Sequence, residues 1–188
     1  MVKNDKWIKT MALDKKIIEP FEPGQIKQVD GRGVISFGTS SYGYDMRLSD
    51  EFMIMKPVKR DTVLDPKQSS DIFETIKVKD FIIVEPNSVA LGRTIEYFRI
   101  PRDIVTIAFG KSTYARCGIF VNITPFEPEW EGYVTLSIAN ASNLPVKVYA
   151  NEGIAQVLFL GAHEVCQTSY ADRKGKYQSQ KTITQAKI

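Results

Sequence analysis

Along most of this chain, apolar residues come in short runs rich in Val, Ile, Phe and Tyr, broken by Gly, Pro, Asn and Asp. Runs of this kind occupy 33–37, 51–55, 73–78, 81–84, 89–93, 104–109, 119–123, 133–139, 146–149 and 155–160. Many short strands with frequent turn signals predict an all-β fold, a sandwich or a distorted closed β-roll of the jelly-roll kind. One helix stands apart from this pattern. Trp7, Ile8, Met11 and Ala12 fall at helical spacing within 4–13, and Asn4 or Asp5 suits its N-cap. No linker or composition break divides residues 1–188, so a single domain is expected. Residues 170–188 are polar and lysine-rich and fit neither period. They read either as a frayed end or as a closing tail that orders over a ligand.

Composition narrows the chemistry. With 188 residues, 43% hydrophobic and 25% charged, the chain is long enough for a full core. A net charge of +3 is too small to imply nucleic-acid wrapping. Two cysteines make no disulfide framework and suggest reduced thiols in a cytoplasmic protein. No apolar run approaches a membrane span, and no signal-peptide pattern is present, so neither membrane insertion nor secretion is expected. His163 is the single histidine, which leaves little room for a Ser-His-Asp triad or a multi-histidine zinc site. The zinc deaminase signature is absent too, so no catalytic zinc is expected.

The stretch Gly110-Lys111-Ser112-Thr113-Tyr114-Ala115-Arg116-Cys117-Gly118 gathers two cations and two hydroxyls between glycines. One helical turn would point Ser112 and Arg116 the same way. Such a set suits a nucleotide phosphate, although a solvated basic turn has the same composition.

The segments 38–45 (GTSSYGYD), 96–101 (EYFRIP), 110–118, 124–132 (TPFEPEWEG) and 149–156 (YANEGIAQ) resemble the dCTP deaminase family of the dUTPase-like superfamily. The likeness runs over nearly the whole chain. It implies a homotrimer of distorted β-rolls, with active sites completed across subunits, that converts dCTP to dUTP and ammonia. It implies Mg²⁺ accompanying the triphosphate, and it admits dUTP and dTTP as further ligands. Lys111, Ser112, Thr113, Tyr114, Ala115 and Arg116 match the family's phosphate loop, and Ser112 and Arg116 are also expected near the attacking water and the base. Thr135, Leu136 and Ser137 match the backbone run beside the base. Gln156, Tyr170, Lys176 and Gln180 match its remaining nucleotide contacts. Glu127 lies near the position of an acidic residue beside the sugar, or is a solvated turn carboxylate. Trp130 reads as a core or subunit-interface ring.

One position departs from the family. Without zinc, a side chain must take a proton from the attacking water and return protons to the base and the leaving amine. In dCTP deaminases a glutamate does this, five residues after the glycine that matches Gly132, and here that position is Ser137. A serine hydroxyl is too weak an acid for the task near pH 7. Natural loss of deamination, a deliberate replacement, or a different shuttle would each account for it; Ile138 and Ala139 also depart from the family's usual choices, which favours drift. Two other functions stay open at this point. One is a dUTP diphosphatase-like enzyme using Glu127 or Glu129 to orient water, though only one glycine falls in residues 172–176. The other is a module that binds dCTP or dTTP without turnover.

Overall fold

The strands pack together in a computed structural model that describes residues 1–57, 59, 61–68 and 71–187. Helix α1 (Asp5–Lys15) is capped by Asn4, whose side chain accepts the Trp7 N–H, and it buries Ile8 and Ala12. Strands follow in chain order: β1 (Ile18–Glu19), β2 (Gln25–Val29), β3 (Arg32–Ser40), β4 (Gly43–Met55), β5 (Phe73–Lys77), β6 (Phe81–Val84), β7 (Val89–Arg99) and β8 (Ile104–Gly110). A one-turn helix α2 (Ser112–Ala115) comes next, then β9 (Ile119–Asn122), β10 (Glu131–Asn140), β11 (Val146–Tyr149) and β12 (Gly153–Gly161). None of the described helices is long and apolar enough to cross a membrane.

Ten strands form one antiparallel sheet, with β6 and β11 paired separately. Its path through β2-β3-β4-β7-β10-β9 turns on β4. The first half of β4 pairs with β3 and β12, and its second half with β5 and β7. A thirteen-residue strand shared in this way ties the two halves of the roll into one core. Tyr44, Met46, Leu48 and Phe52 from β4 meet Phe98, Leu136, Ile138 and Phe159 there, all fully buried.

Two carboxylates sit inside the fold. Glu96 of β7 is fully buried, and its oxygens accept the Arg47 N–H at 2.9 Å and Nε at 2.7 Å. Burial pushes the Glu96 carboxyl up, and the Arg47 guanidinium pulls it back down. The second carboxylate, Asp45, belongs to the site described next.

Candidate functional site

Strand β10 organises the site. Its burial alternates along its length, so Val134, Leu136 and Ile138 face the core while Tyr133, Thr135 and Ser137 line the outward face. A bulge lies between Tyr133 and Thr135 in the pairing with β7. There the Val134 N–H donates to Thr94 Oγ1 at 2.9 Å, which satisfies the amide the ladder leaves free. This bend carries Thr135 toward a cavity of about 670 Å³. Of the residues expected to bind nucleotide, Thr135, Tyr170, Lys176 and Gln180 line that cavity, together with Glu127 and Trp130.

The C-terminal tail forms one wall. The Tyr133 N–H donates to the Gln180 carbonyl at 2.9 Å, and Gln180 Nε2 donates to the Tyr133 carbonyl at 2.9 Å and to Thr135 Oγ1. Trp130 Nε1 donates to the Tyr177 carbonyl at 2.8 Å, and the Tyr177 N–H donates to Tyr170 Oη at 3.0 Å. Gly132 makes this approach possible. Its φ is +150°, and a Cβ there would stand 2.9 Å from the Gln180 backbone nitrogen. Arg102 anchors the start of the tail, donating to Glu129 at 2.6 Å, Asp172 at 2.7 Å and the Gln167 carbonyl at 2.9 Å. The Ser169 N–H, and then Arg102, hold the Asp172 carboxyl below its ordinary range. The tail is thus docked rather than frayed; residue 188 lies outside the described residues.

The 110–118 stretch lies elsewhere. Lys111 is the N-cap residue of α2 and Arg116 its C-cap. Ser112, Thr113, Ala115 and Arg116 are exposed. Arg116 turns back along the helix, and its Nη1 donates to the Ser112 carbonyl at 3.0 Å. Tyr114 points inward, where its hydroxyl accepts the Tyr149 N–H at 2.9 Å, and burial pushes its phenol well up. The side chains of Tyr114 and of Leu136 on β10 are both buried, which leaves only their backbones for a ligand. The turn that follows α2 closes at Gly118, with φ +78°, whose carbonyl accepts the Ala141 N–H at 3.0 Å. That contact fixes α2 at the Asn140 end of β10. Thr135 lies midway along the same strand, about 17 Å from Asn140 at strand rise.

Gln156 forms a third position, on β12 beside β4. Its Nε2 donates to Ser40 Oγ and to Asp45 Oδ1, both at 3.0 Å. Lys111 Nζ reaches the other oxygen of the same carboxylate at 2.6 Å. Within this chain the expected contacts thus fall into separate groups: Thr135, Tyr170, Lys176 and Gln180 at the cavity, Ser112 to Arg116 on α2, and Gln156 with Lys111 at Asp45. Ser137 lies between the first two, opposite Leu91 of β7 and Asn122 of β9.

A family model described as dCTP deaminase-like matches residues 2–161. A dCTP deaminase of Nitrosomonas eutropha is 61% identical over 188 residues, spanning 100% of this chain and 99% of that protein.

The chain belongs to the dCTP deaminase-like family.

A second relative of this family, from Nitrosomonas europaea, is 59% identical over the same 188 residues, with 99% of its length covered. A solved 2'-deoxycytidine 5'-triphosphate deaminase from Agrobacterium tumefaciens shares the fold with a TM-score of 0.63 at 15% identity, over 86% of this chain and 48% of that one. Several contacts around the site carried no signal of their own in the sequence. Thr94 answers the β10 bulge, Arg102 clamps the tail, and Asp45 collects Lys111 and Gln156. Each works through a partner distant in the chain, and short-range patterns do not register such pairs.

Proposed function

We propose that this chain binds dCTP as its Mg²⁺ complex in the cytoplasm and hydrolyses the 4-amino group, giving dUTP and ammonia. Full-length identity of about 60% with proteins named dCTP deaminase carries this reading. Water oxygen forms a bond to C4, and the C4–N bond breaks. The proton the water loses and the protons gained by N3 and the leaving amine must pass through a neighbouring group. Among the described residues no set of three or more His, Cys, Asp or Glu side chains gathers to hold a metal. A magnesium ion that arrives with the nucleotide takes its oxygens from phosphates and water.

The working unit we propose is a homotrimer in which α2 of one protomer faces the tail cavity of another. Two features support it. The cation-bearing loop sits at the Asn140 end of β10, and none of its residues from Lys111 to Arg116 lines the tail cavity of the same chain. Beside α2, the outward face of β8 and β9 exposes Val105, Ile107, Phe109 and Phe120. Such an apolar patch is what a subunit contact covers.

Ser137 sets the rate in this reading. The three carboxylates of the preceding turn are already engaged: Glu127 by Arg173, Glu129 by Arg102, and Glu131 by Ser179 at 3.0 Å. Slow turnover is therefore expected. The test is to incubate the chain with dCTP and Mg²⁺ and follow ammonia, dUTP and pyrophosphate. Ammonia in step with dUTP is the expected result. Pyrophosphate from added dUTP would support a diphosphatase instead. Tight binding of dCTP or dTTP without either product would make the chain a binding module, and absence of binding would overturn the nucleotide reading.

A further inference from the structure

Asp45 is only 4% exposed, yet three side chains from separate parts of the chain donate to it. Lys111 Nζ reaches Oδ2 at 2.6 Å, Gln25 Nε2 reaches the same oxygen at 3.1 Å, and Gln156 Nε2 reaches Oδ1 at 3.0 Å. A buried carboxylate needs such company, because an unpaired charge in the interior is strongly disfavoured. The arrangement also constrains what each donor has left for a ligand. Lys111 is a lysine of the phosphate loop, but its side chain is only 12% exposed and its ammonium also donates to Ser36 Oγ at 3.2 Å. Its backbone N–H is bound to the Ile154 carbonyl at 3.0 Å. Gln156 spends both amide hydrogens on Ser40 and Asp45. The carboxylate decides which way that amide faces, since a carbonyl turned toward Asp45 would be repelled. The group Gln156 can present outward is its carbonyl oxygen, an acceptor suited to a hydroxyl, an amine or a metal-bound water.

We propose that Asp45 is a positioning residue for nucleotide binding, which pins the entry of α2 through Lys111 and fixes Gln156 as an acceptor. Lys111 then serves the site by holding the loop that carries Ser112 and Arg116, and its charge is neutralised before a phosphate arrives. The inference rests on the nucleotide reading above and refines the role of one residue in it.

Asp45→Asn separates the two roles of Lys111 by sign. The substitution keeps the shape, removes the charge that holds Lys111, and sets an amide against the Gln156 amide. If Asp45 positions the loop, dCTP–Mg²⁺ affinity measured by calorimetry falls about tenfold, as when outer partners of binding groups are removed elsewhere. If Lys111 is instead a direct phosphate ligand, losing the neighbouring negative charge frees the ammonium and affinity rises. Lys111→Gln gives an independent reading and decides the matter should Asp45→Asn not fold. A glutamine can still donate to Asp45, so positioning predicts a loss of no more than about threefold and an unchanged salt dependence. A direct ligand predicts a loss of about tenfold or more and a shallower salt dependence, as a charge-assisted contact disappears. Either of these last results, or unchanged or tighter binding by Asp45→Asn, overturns the proposal while leaving the nucleotide reading intact. Failure of the unsubstituted chain to bind dCTP overturns the nucleotide reading itself, and the proposal with it.

Discussion

Replacing Ser137 by glutamate places a carboxylate on the outward face of β10, between Leu91 and Asn122. Its neighbours along the strand, Leu136 and Ile138, keep their places in the core, because alternation turns position 137 away from them. A half-buried outward position has room for a longer side chain, so the change in stability should stay within about 1 kcal/mol. Leu91 would partly desolvate the new carboxylate and raise its pKa toward neutrality, which a proton shuttle requires. Arg93, opposite Thr135, turns its guanidinium over the Tyr133 ring and is held by Glu51 at 3.2 Å. Gaining a general acid–base group should raise ammonia release from saturating dCTP by ~10²–10⁴. That corresponds to about 3–5 kcal/mol of barrier. The assay compares Ser137→Glu with Ser137→Gln, which has the same shape and no titratable group. Only the glutamate should gain rate, and its gain should fade as pH falls below the pKa of the carboxyl. A Ser137→Glu chain that folds, binds dCTP as tightly as before and releases ammonia no faster than Ser137→Gln would refute the assignment of the shuttle to this position.

Arg116→Ala should weaken dCTP–Mg²⁺ binding by ~10–100-fold, the range for one lost charge-assisted hydrogen bond; unchanged affinity in calorimetry would remove α2 from the phosphate site. Phe109→Glu puts a charge on the apolar β8 face and should shift sedimentation from a trimer toward monomer, with loss of turnover, whereas an unaltered sedimentation profile would clear that face of any subunit contact. Arg102→Ala removes the clamp on Glu129, Gln167 and Asp172 and should speed tryptic cleavage at Arg173 and Lys174 several-fold without lowering the melting temperature of the roll. Because the Asp172 carboxyl is held below its ordinary 3.8, its contribution to tail docking is complete above that pH and is lost as pH falls through the lowered value. Protection from an acid-active protease should therefore diminish in that window, and to a lesser extent in Asp172→Asn.

Much of this fold was legible in the chain, and where the sequence reading fell short the cause is physical. The expected spans for β6 and β11 match the observed strands, because both are short apolar runs between turn residues. In β4, by contrast, the sequence suggested only 51–55, whereas the strand begins at Gly43. Its first half alternates Tyr44, Met46 and Leu48 with Asp45, Arg47 and Ser49, the period of a strand, but contains no unbroken apolar run of the kind that marks 51–55. These polar residues lie inside because β4 passes from one half of the roll to the other and is covered on both sides. Strand β7 was cut short at 93 for a related reason: Thr94 and Glu96 are polar yet fully buried, satisfied by Val134 and Arg47 from other strands. The site divides along the same line. Residues 111–116 were legible as a candidate phosphate loop, since cations, hydroxyls and flanking glycines are local features, although a solvated basic turn has the same composition. What that composition leaves open is where each cation points. Arg116 curls over its own helix and stays exposed, whereas Lys111, five residues earlier, is drawn under the loop by an aspartate 66 positions away. Two cations of one motif thus part company according to whether a buried carboxylate lies within reach, and only the tertiary fold decides that.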